Sequence, residues 1–394
     1  MTNALIAGVG TVPFRTPRTS DPYDVMAEGA VRAALADAGV DLADVQQSYV
    51  GYVYGDSTSG QRALYRVGRT GAPIINVDNN CATGSTALWL ARQAIESGDA
   101  DCVLALGFEQ MQRGALVEHW ADRPGPLADF VARADDEFGP DDVPMAVKLF
   151  GGAGREYQER HGTDDRTFAA ITVKSRRHAA ANPIAVFREP VTVEEVLASG
   201  EVFAPLTRLQ CCPPTCGAAA AILVSPAFAR SRGLDAGVRI VAQAMATDRD
   251  STFEGDLAQL VGADLTADAA AQVAEASGVD LAEVPVVELH DCFTTNELLS
   301  YEALGLTPPG TAERFVLDGE NTYGGRVVTN PSGGLLSKGH PLGATGLAQC
   351  AELVQQLRGE AGERQVEGAT LALQHNIGLG GAAVVTLYER SPTP

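Results

Sequence analysis

The chain repeats itself, and that repeat dictates its architecture. The run Ala38-Gly39-Val40-Asp41-Leu42-Ala43-Asp44-Val45 recurs as Ser277-Gly278-Val279-Asp280-Leu281-Ala282-Glu283-Val284. Each copy follows an Ala-rich stretch with helical spacing, Glu28–Asp37 and Ala267–Ala276. Each of these helices is expected to stop at a glycine, Gly39 or Gly278, because glycine takes the left-handed C-terminal position without steric cost. A short apolar run follows each copy, Ser48–Val53 and Val286–Leu289, and reads as a strand. A second pair agrees with the first. Gly217–Val224 resembles Gly381–Tyr388, and the latter is joined through the Gly-rich Gly378–Gly381 to a strand over Thr370–Gln374. In the first half the equivalent strand is Cys102–Gly107, but its partner arrives only at Gly217. Roughly a hundred residues therefore lie between them, a length typical of a functional cap. This insert holds a charged, Pro-rich stretch, Arg123–Pro144, and helical patterns at Met145–Gly162 and Thr167–Ala181. Two similar α/β halves, with a cap in the first, are the expected organisation.

Charge narrows the partners. There are 29 basic and 50 acidic residues, a formal net charge of −21. That balance argues against nucleic acid, whose phosphates demand a positive face, and against anionic membranes. The opening Met1–Gly10 lacks a basic n-region and a cleavage site, so it reads as a first strand. The most apolar stretch, Ala218–Val224, is too short to span a bilayer. Ser391–Pro394 carries no peroxisomal address. The seven cysteines do not resemble a secreted disulfide framework, so a reduced, cytoplasmic protein is expected. Cys211, Cys212 and Cys216 have no second cluster to complete a metal site, and no metal is expected.

Three motifs carry reactive side chains. In Asn79-Asn80-Cys81-Ala82-Thr83-Gly84-Ser85 a cysteine sits between the apolar run Pro73–Val77 and a helical run, Ala87–Ile95. A thiol near a helix N-terminus is expected to gain thiolate character and to have backbone N–H groups at hand for an oxyanion. His290-Asp291-Cys292-Phe293 places an imidazole and a thiol at a strand end, where either can move protons. Asn330–Gly346 is dense in glycine around His340, an imidazole suited to accept a thiol proton. Lys338 within it reads as a solvated cation rather than a phosphate ligand. Gln374–Gly378 ends a strand at the position equivalent to Gly107 of the first half and by itself assigns no role.

Together these stretches resemble the thiolase superfamily. They are most similar to its sterol-carrier-protein-2-type (SCP-x) branch and the bacterial stand-alone relatives of that branch. Asn79–Leu88, Ala105–Glu109, Glu288–Gly305, Asn321–Gly325 and Asn330–Gln349 carry the likeness, which extends over nearly the whole chain and is weakest in the insert. The resemblance implies an α/β thiolase fold: a duplicated five-layered α-β-α-β-α arrangement with an inserted loop (cap) domain. On that reading residues 1–111 and 211–235 form the N-terminal half, 112–210 the cap and 236–394 the C-terminal half. It also implies roles. Cys81 matches the acylated nucleophile. His340, in Gly-His-Pro, matches the residue that activates the thiol and helps hold the thioester oxygen. His290 opens the His-Asp-Cys-Phe motif of this branch, whose Cys292 matches the second acid/base. Asn376 stands where a C-terminal cysteine is usual, and the Gly378 N–H would complete an oxyanion hole with that of Cys81.

The implied activity is that of an acetyl-CoA C-acyltransferase, cleaving or forming 3-oxoacyl-CoA in fatty-acid or sterol side-chain degradation. Acyl-CoA and coenzyme A would be substrates, with no permanently bound cofactor, and the protein would be a homodimer. A condensing enzyme or acyltransferase of specialised biosynthesis is the alternative on the same fold. A steroid side-chain retro-aldolase and a non-catalytic lipid-binding protein are weaker ones, because relatives of the aldolase kind lose the cysteines and Gly-His-Pro. Two departures from the family pattern stand out. Cys212-Pro213-Pro214-Thr215-Cys216-Gly217 lacks the usual acidic residue, and Asp78 stands where asparagine is frequent.

Overall fold

A computed structural model describes residues 4–112, 120, 122–140 and 142–390. Met1–Asn3 of the expected first strand and the C-terminal Ser391–Pro394 fall outside them. The first half carries strands β1 (Leu5–Thr11), β2 (Gln47–Gly51), β3 (Ile74–Val77), β4 (Cys102–Glu109) and β5 (Gly217–Val224). The second carries β6 (Val238–Ala246), β7 (Val286–Glu288), β8 (Val328–Thr329), β9 (Leu371–Gly378) and β10 (Ala382–Arg390). They form one sheet in the order β3-β2-β4-β5-β1-β6-β10-β9-β7-β8. Read outward from the β1/β6 junction, the two halves have the same order and directions. In each, the strand at the junction pairs antiparallel with the last strand of its half. That strand pairs antiparallel with the next, and the outer pairings are parallel. Among the described residues, Leu5↔Arg239 and Ile6↔Val238 are the strand pairs that join the two half-sheets.

The helices follow the same duplication. Helix α1 (Tyr23–Ala38) covers β1 and β5, and its counterpart Ala263–Ser277 covers β6 and β10. Both end on a left-handed glycine, Gly39 and Gly278, and both lead into a short 3₁₀ turn, Leu42–Asp44 or Leu281–Glu283. Helix α2 (Thr83–Glu96) packs on Leu342–Arg358, and the latter touches β4 and β5 on one side and β9 on the other. This pair is the middle of five layers, buried between the two half-sheets. Contact is close enough to exclude a methyl group. A Cβ on Gly107 would lie 2.1 Å from the Gly343 carbonyl oxygen, so β4 of one half meets the helix of the other backbone to backbone.

Within the insert the expected helices are present as α3 (Met145–His161) and α4 (Asp165–Ala179). The stretch Arg123–Pro144, read as a charged connection, contains a further helix, Ala128–Phe138. It buries Phe130 and Ala134, one helical turn apart, against the C-terminal core. Two apolar residues among many charges made that face hard to see.

The insert does more than cover the molecule. From α4, Ser175 Oγ donates to the Gly333 carbonyl at 2.5 Å, and buried Lys174 pairs with Glu297 and with Thr329. Just beyond, Asn182 Nδ2 donates to the Ser332 carbonyl at 2.8 Å. The Val186 and Phe187 amides donate to the carbonyls of Lys338 and Ser337 at 3.1 and 3.0 Å. The cap thus grips the glycine-rich segment before His340 along its length. Among the described residues no helix is long and apolar enough to cross a membrane.

Candidate active site

Each reactive side chain sits where a strand gives way to a helix. Cys81 follows β3 through the turn Asp78–Asn80, in which Asn80 has a positive φ of 50° and donates from Nδ2 to the Leu379 carbonyl. Helix α2 begins two residues later. His290 and Cys292 lie between β7 and the helix Thr294–Ala303. His340 lies between a π-helical turn, Gly334–Lys338, and the helix starting at Leu342. The sulfur of Cys81 and one ring nitrogen each of His290 and His340 lie within 4.8 Å of one another. Among the described residues this is also the donor set that could hold a metal ion. The two imidazoles meet edge to face, with centroids 5.0 Å apart.

The state of His340 follows from its neighbours. Thr345 Oγ1 donates its proton to the Pro341 carbonyl at 2.9 Å. The hydroxyl therefore accepts from His340 Nδ1–H at 2.7 Å, and Nε2 is left with its lone pair. That Nε2 is buried and makes no hydrogen bond. Burial, with Lys338 nearby, lowers the imidazole to about 3, so it is neutral at physiological pH. His340 is thus a free base facing a thiol.

The thiol differs from expectation. Proximity to the helix N-terminus was expected to favour thiolate. Burial instead pushes Cys81 up to about 12, and the carboxylates of Glu109 and Asp78 push the same way. A helix end contributes a fraction of a charge, which loses here to desolvation and nearby negative charge. Cys81 rests as a thiol, its Sγ donating to Asn80 Oδ1 at 3.5 Å.

Cys292 is also buried and raised by desolvation, with Cys212 and Cys81 acting on it. The Cys212 amide donates to the Cys292 carbonyl at 2.9 Å, so Cys212 belongs beside the reactive pair. The three cysteines near the end of the cap do not form one cluster. Cys211 Sγ donates to the Thr207 carbonyl, while Cys216 is buried in the N-terminal core and donates to the Met111 carbonyl. Pro214 bridges to His340, placing the atypical stretch Cys212–Gly217 beside that imidazole. Asn376 is buried on Ser85 and His290. Gly378 packs on the nucleophile turn: a Cβ there would lie 3.1 Å from the Cys81 amide and 2.4 Å from the Asn79 carbonyl oxygen.

Lys338 is a correction. It is not solvated but fully buried, and its Nζ donates to Glu288 Oε2 at 3.2 Å. Glu288 also accepts from the Ser332 amide and hydroxyl at 3.0 and 2.8 Å. The pair ties the segment before His340 to the end of β7. Removing one partner of a buried pair leaves a charge uncompensated, at a cost of about 3–5 kcal/mol. Glu288→Gln is expected to destabilise by that amount in chemical denaturation, and adding Lys338→Met should restore most of it. Equal stability of Glu288→Gln and the native protein would contradict the pairing.

Glu109, read only as the end of the family-like stretch Ala105–Glu109, was given no role. Its buried carboxylate accepts from the Val53 and Tyr54 amides at 3.2 and 3.0 Å and from the Gly343 amide at 3.1 Å. It therefore clamps the helix after His340 to the half that carries Cys81. Burial raises it to about 7. The available signal was a lone carboxylate ending an otherwise apolar strand.

A thiol, a neutral imidazole with an unpartnered nitrogen and a second, buried thiol are the groups that covalent transfer chemistry uses. Comparison with known proteins makes the class specific. Residues 8–225 match the family described as "Thiolase, N-terminal domain", and residues 248–390 match "Thiolase C-terminal domain-like". Human "Sterol carrier protein 2" is 54% identical, over 98% of this chain and 71% of its own. "Acetyl-CoA acetyltransferase" of Methanothermobacter thermautotrophicus is 35% identical, over 99% of this chain and 100% of its own. The solved structure "Ltp2-ChsH2(DUF35) aldolase" superposes with a TM-score of 0.82 at 25% identity, covering 98% of both chains. The thiolase relatives, the acetyl-CoA acetyltransferase among them, make this an acyltransferase enzyme. The chain belongs to the thiolase family.

Proposed function

We propose that this thiolase works through an acyl intermediate on Cys81, exchanging acyl groups between 3-oxoacyl-CoA and coenzyme A. The carrying observation is the meeting of the Cys81 sulfur with the neutral ring of His340, whose Nε2 is unpartnered. In the degradative direction His340 takes the Cys81 proton as sulfur attacks the 3-keto carbon. The C2–C3 bond breaks, and Cys292 gives its proton to the departing C2 carbanion. Cys292 then takes the proton of incoming coenzyme A, whose sulfur displaces Cys81 from the acyl carbon. The amides of Cys81 and Gly378 hold the oxyanion, which their apposition at the nucleophile turn supports. The reverse sequence is the condensation.

Burial makes this division of labour economical. Each charge alone is costly in the site, but thiolate and imidazolium formed together within 4.8 Å offset one another. The aldolase is a relative by fold; this chain keeps the full thiol and imidazole set. The name of the human relative supports a lipid or sterol-derived acyl group. We place the domain boundaries at 1–111 with 211–235, 112–210 and 236–394, and the protein in the cytoplasm as a homodimer. Among the described residues β3 is an edge strand, and its Ile75 is 37% exposed, which supports pairing of two copies. The test is thiolysis of a panel of straight, branched and sterol-side-chain 3-oxoacyl-CoAs. CoA-dependent cleavage of at least one supports the reading, and cleavage of none rejects it.

A further inference from the structure

One chain of hydrogen bonds has a direction that can be read from atoms with only one possible role. It starts at the Gly346 carbonyl, which can only accept. Gln374 Nε2 donates to it at 2.7 Å, and this orients the Gln374 amide. The other side of that amide, Oε1, accepts from Tyr388 OH. Gln374 Nε2 also donates to Ser85 Oγ at 2.9 Å. Ser85 therefore sends its proton onward, to Asn376 Oδ1 at 2.8 Å. That orients the second amide: Asn376 Nδ2 faces His290 Nδ1 at 2.9 Å. An NH₂ group can only donate, so Nδ1 accepts and the proton of neutral His290 is on Nε2.

We propose that Asn376, oriented by Ser85 and Gln374, is a positioning residue that locks His290 in its Nε2–H tautomer, so that His290 serves the reaction as a hydrogen-bond donor and not as a second base. The two imidazoles of the site then hold opposite tautomers. His340 offers a lone pair, because Thr345 takes its Nδ1–H. His290 offers an N–H for negative charge developing on a thioester or enolate oxygen. The packing is built around this chain. A Cβ on Gly346 would lie 2.2 Å from Ser85 Oγ and 2.7 Å from Asn376 Oδ1, so the central helix passes close over both. Burial also holds His290 well below its ordinary value, which keeps the ring neutral and the tautomer meaningful. The inference deepens the thiolase reading and rests on it for the donor's purpose. The tautomer itself is a property of the resting protein.

The test is long-range ¹H–¹⁵N correlation on the full chain labelled with ¹⁵N-histidine, with the His290 signals assigned by their loss in His290→Asn. The native protein should show a pyridine-type Nδ1 and a pyrrole-type Nε2. Asn376→Leu should populate the Nδ1–H form and lower kcat by about 10–100-fold, with KM changed little, as expected for a weakened oxyanion donor. Ser85→Ala, a smaller truncation, should move the same signals in the same direction. His290→Asn, which can donate but cannot act as a base, should keep at least tenfold more activity than His290→Ala. A pyrrole-type Nδ1 in the native protein, or unchanged signals in both the Asn376 and Ser85 variants, would overturn the proposal. So would equal activity of His290→Asn and His290→Ala. An acyl adduct on Cys81 without the expected tautomer would reject this inference alone, and the tautomer without any adduct would reject the thiolase reading alone.

Discussion

Cys81→Ala is expected to lower thiolysis by about 10⁴-fold or more, because it removes the covalent route rather than one of its supports. The substitution should barely disturb the fold. Cys81 packs only at the margin of the N-terminal core, and the turn around it is held by backbone and by Asn80 and Thr83. Thermal unfolding should therefore match the native protein while turnover vanishes. A variant that keeps more than a tenth of native activity would remove Cys81 from the mechanism.

His340→Ala is the second large effect, and its signature is a pH dependence. In the native site the thiol is held at about 12 and the imidazole at about 3. Both groups are therefore uncharged across the neutral range, and neither titrates there. Acylation by the native enzyme should show no inflection from these groups between about pH 6 and 9. Without His340 only the small fraction of free thiolate can attack. Well below a raised value that fraction grows tenfold per pH unit, so the variant's acylation rate should rise about tenfold per unit over the same range. At neutral pH it should lie about 10²–10⁴-fold below the native rate, the usual worth of a positioned base. Stopped-flow acylation over pH 6–9 checks both. A flat profile in the variant would mean that another group deprotonates Cys81.

Much of this was legible because the information is local. The Gly39 and Gly278 helix ends mark the duplication, and both adopt the left-handed conformation that their sequence positions imply. The candidate site residues Cys81 and His340 lie in stretches rich in small residues, and His290 and Cys292 in the run His290–Phe293, where short motifs carry the signal. What escaped notice depends on burial and on distant partners. Lys338 looks solvated in a run of glycines, yet its counter-ion, Glu288, arrives from another strand. Glu109 acquires meaning only when Val53, Tyr54 and Gly343 converge on it. Cys212 was grouped with its sequence neighbours Cys211 and Cys216 and given no role, but the fold sets it against Cys292 and turns Cys216 away. The protonation of Cys81 was misjudged for the same reason: a helix N-terminus is visible in a sequence, whereas desolvation is not.

The cap illustrates the difference between recognising a segment and knowing its work. Its length is what one expects of a functional insert. Its hydrogen bonds to Gly333, Ser332, Ser337 and Lys338 show that it also shapes the segment that presents His340. Changes in the cap should therefore alter chemistry as well as substrate choice.

The most direct measurement is intact-protein and peptide mass spectrometry after mixing with acetoacetyl-CoA and with longer or branched 3-oxoacyl-CoAs. An acyl adduct should form, map to the peptide containing Cys81, and disappear when coenzyme A is added. No adduct with any of these substrates, or an adduct confined to another residue, would contradict a mechanism centred on Cys81.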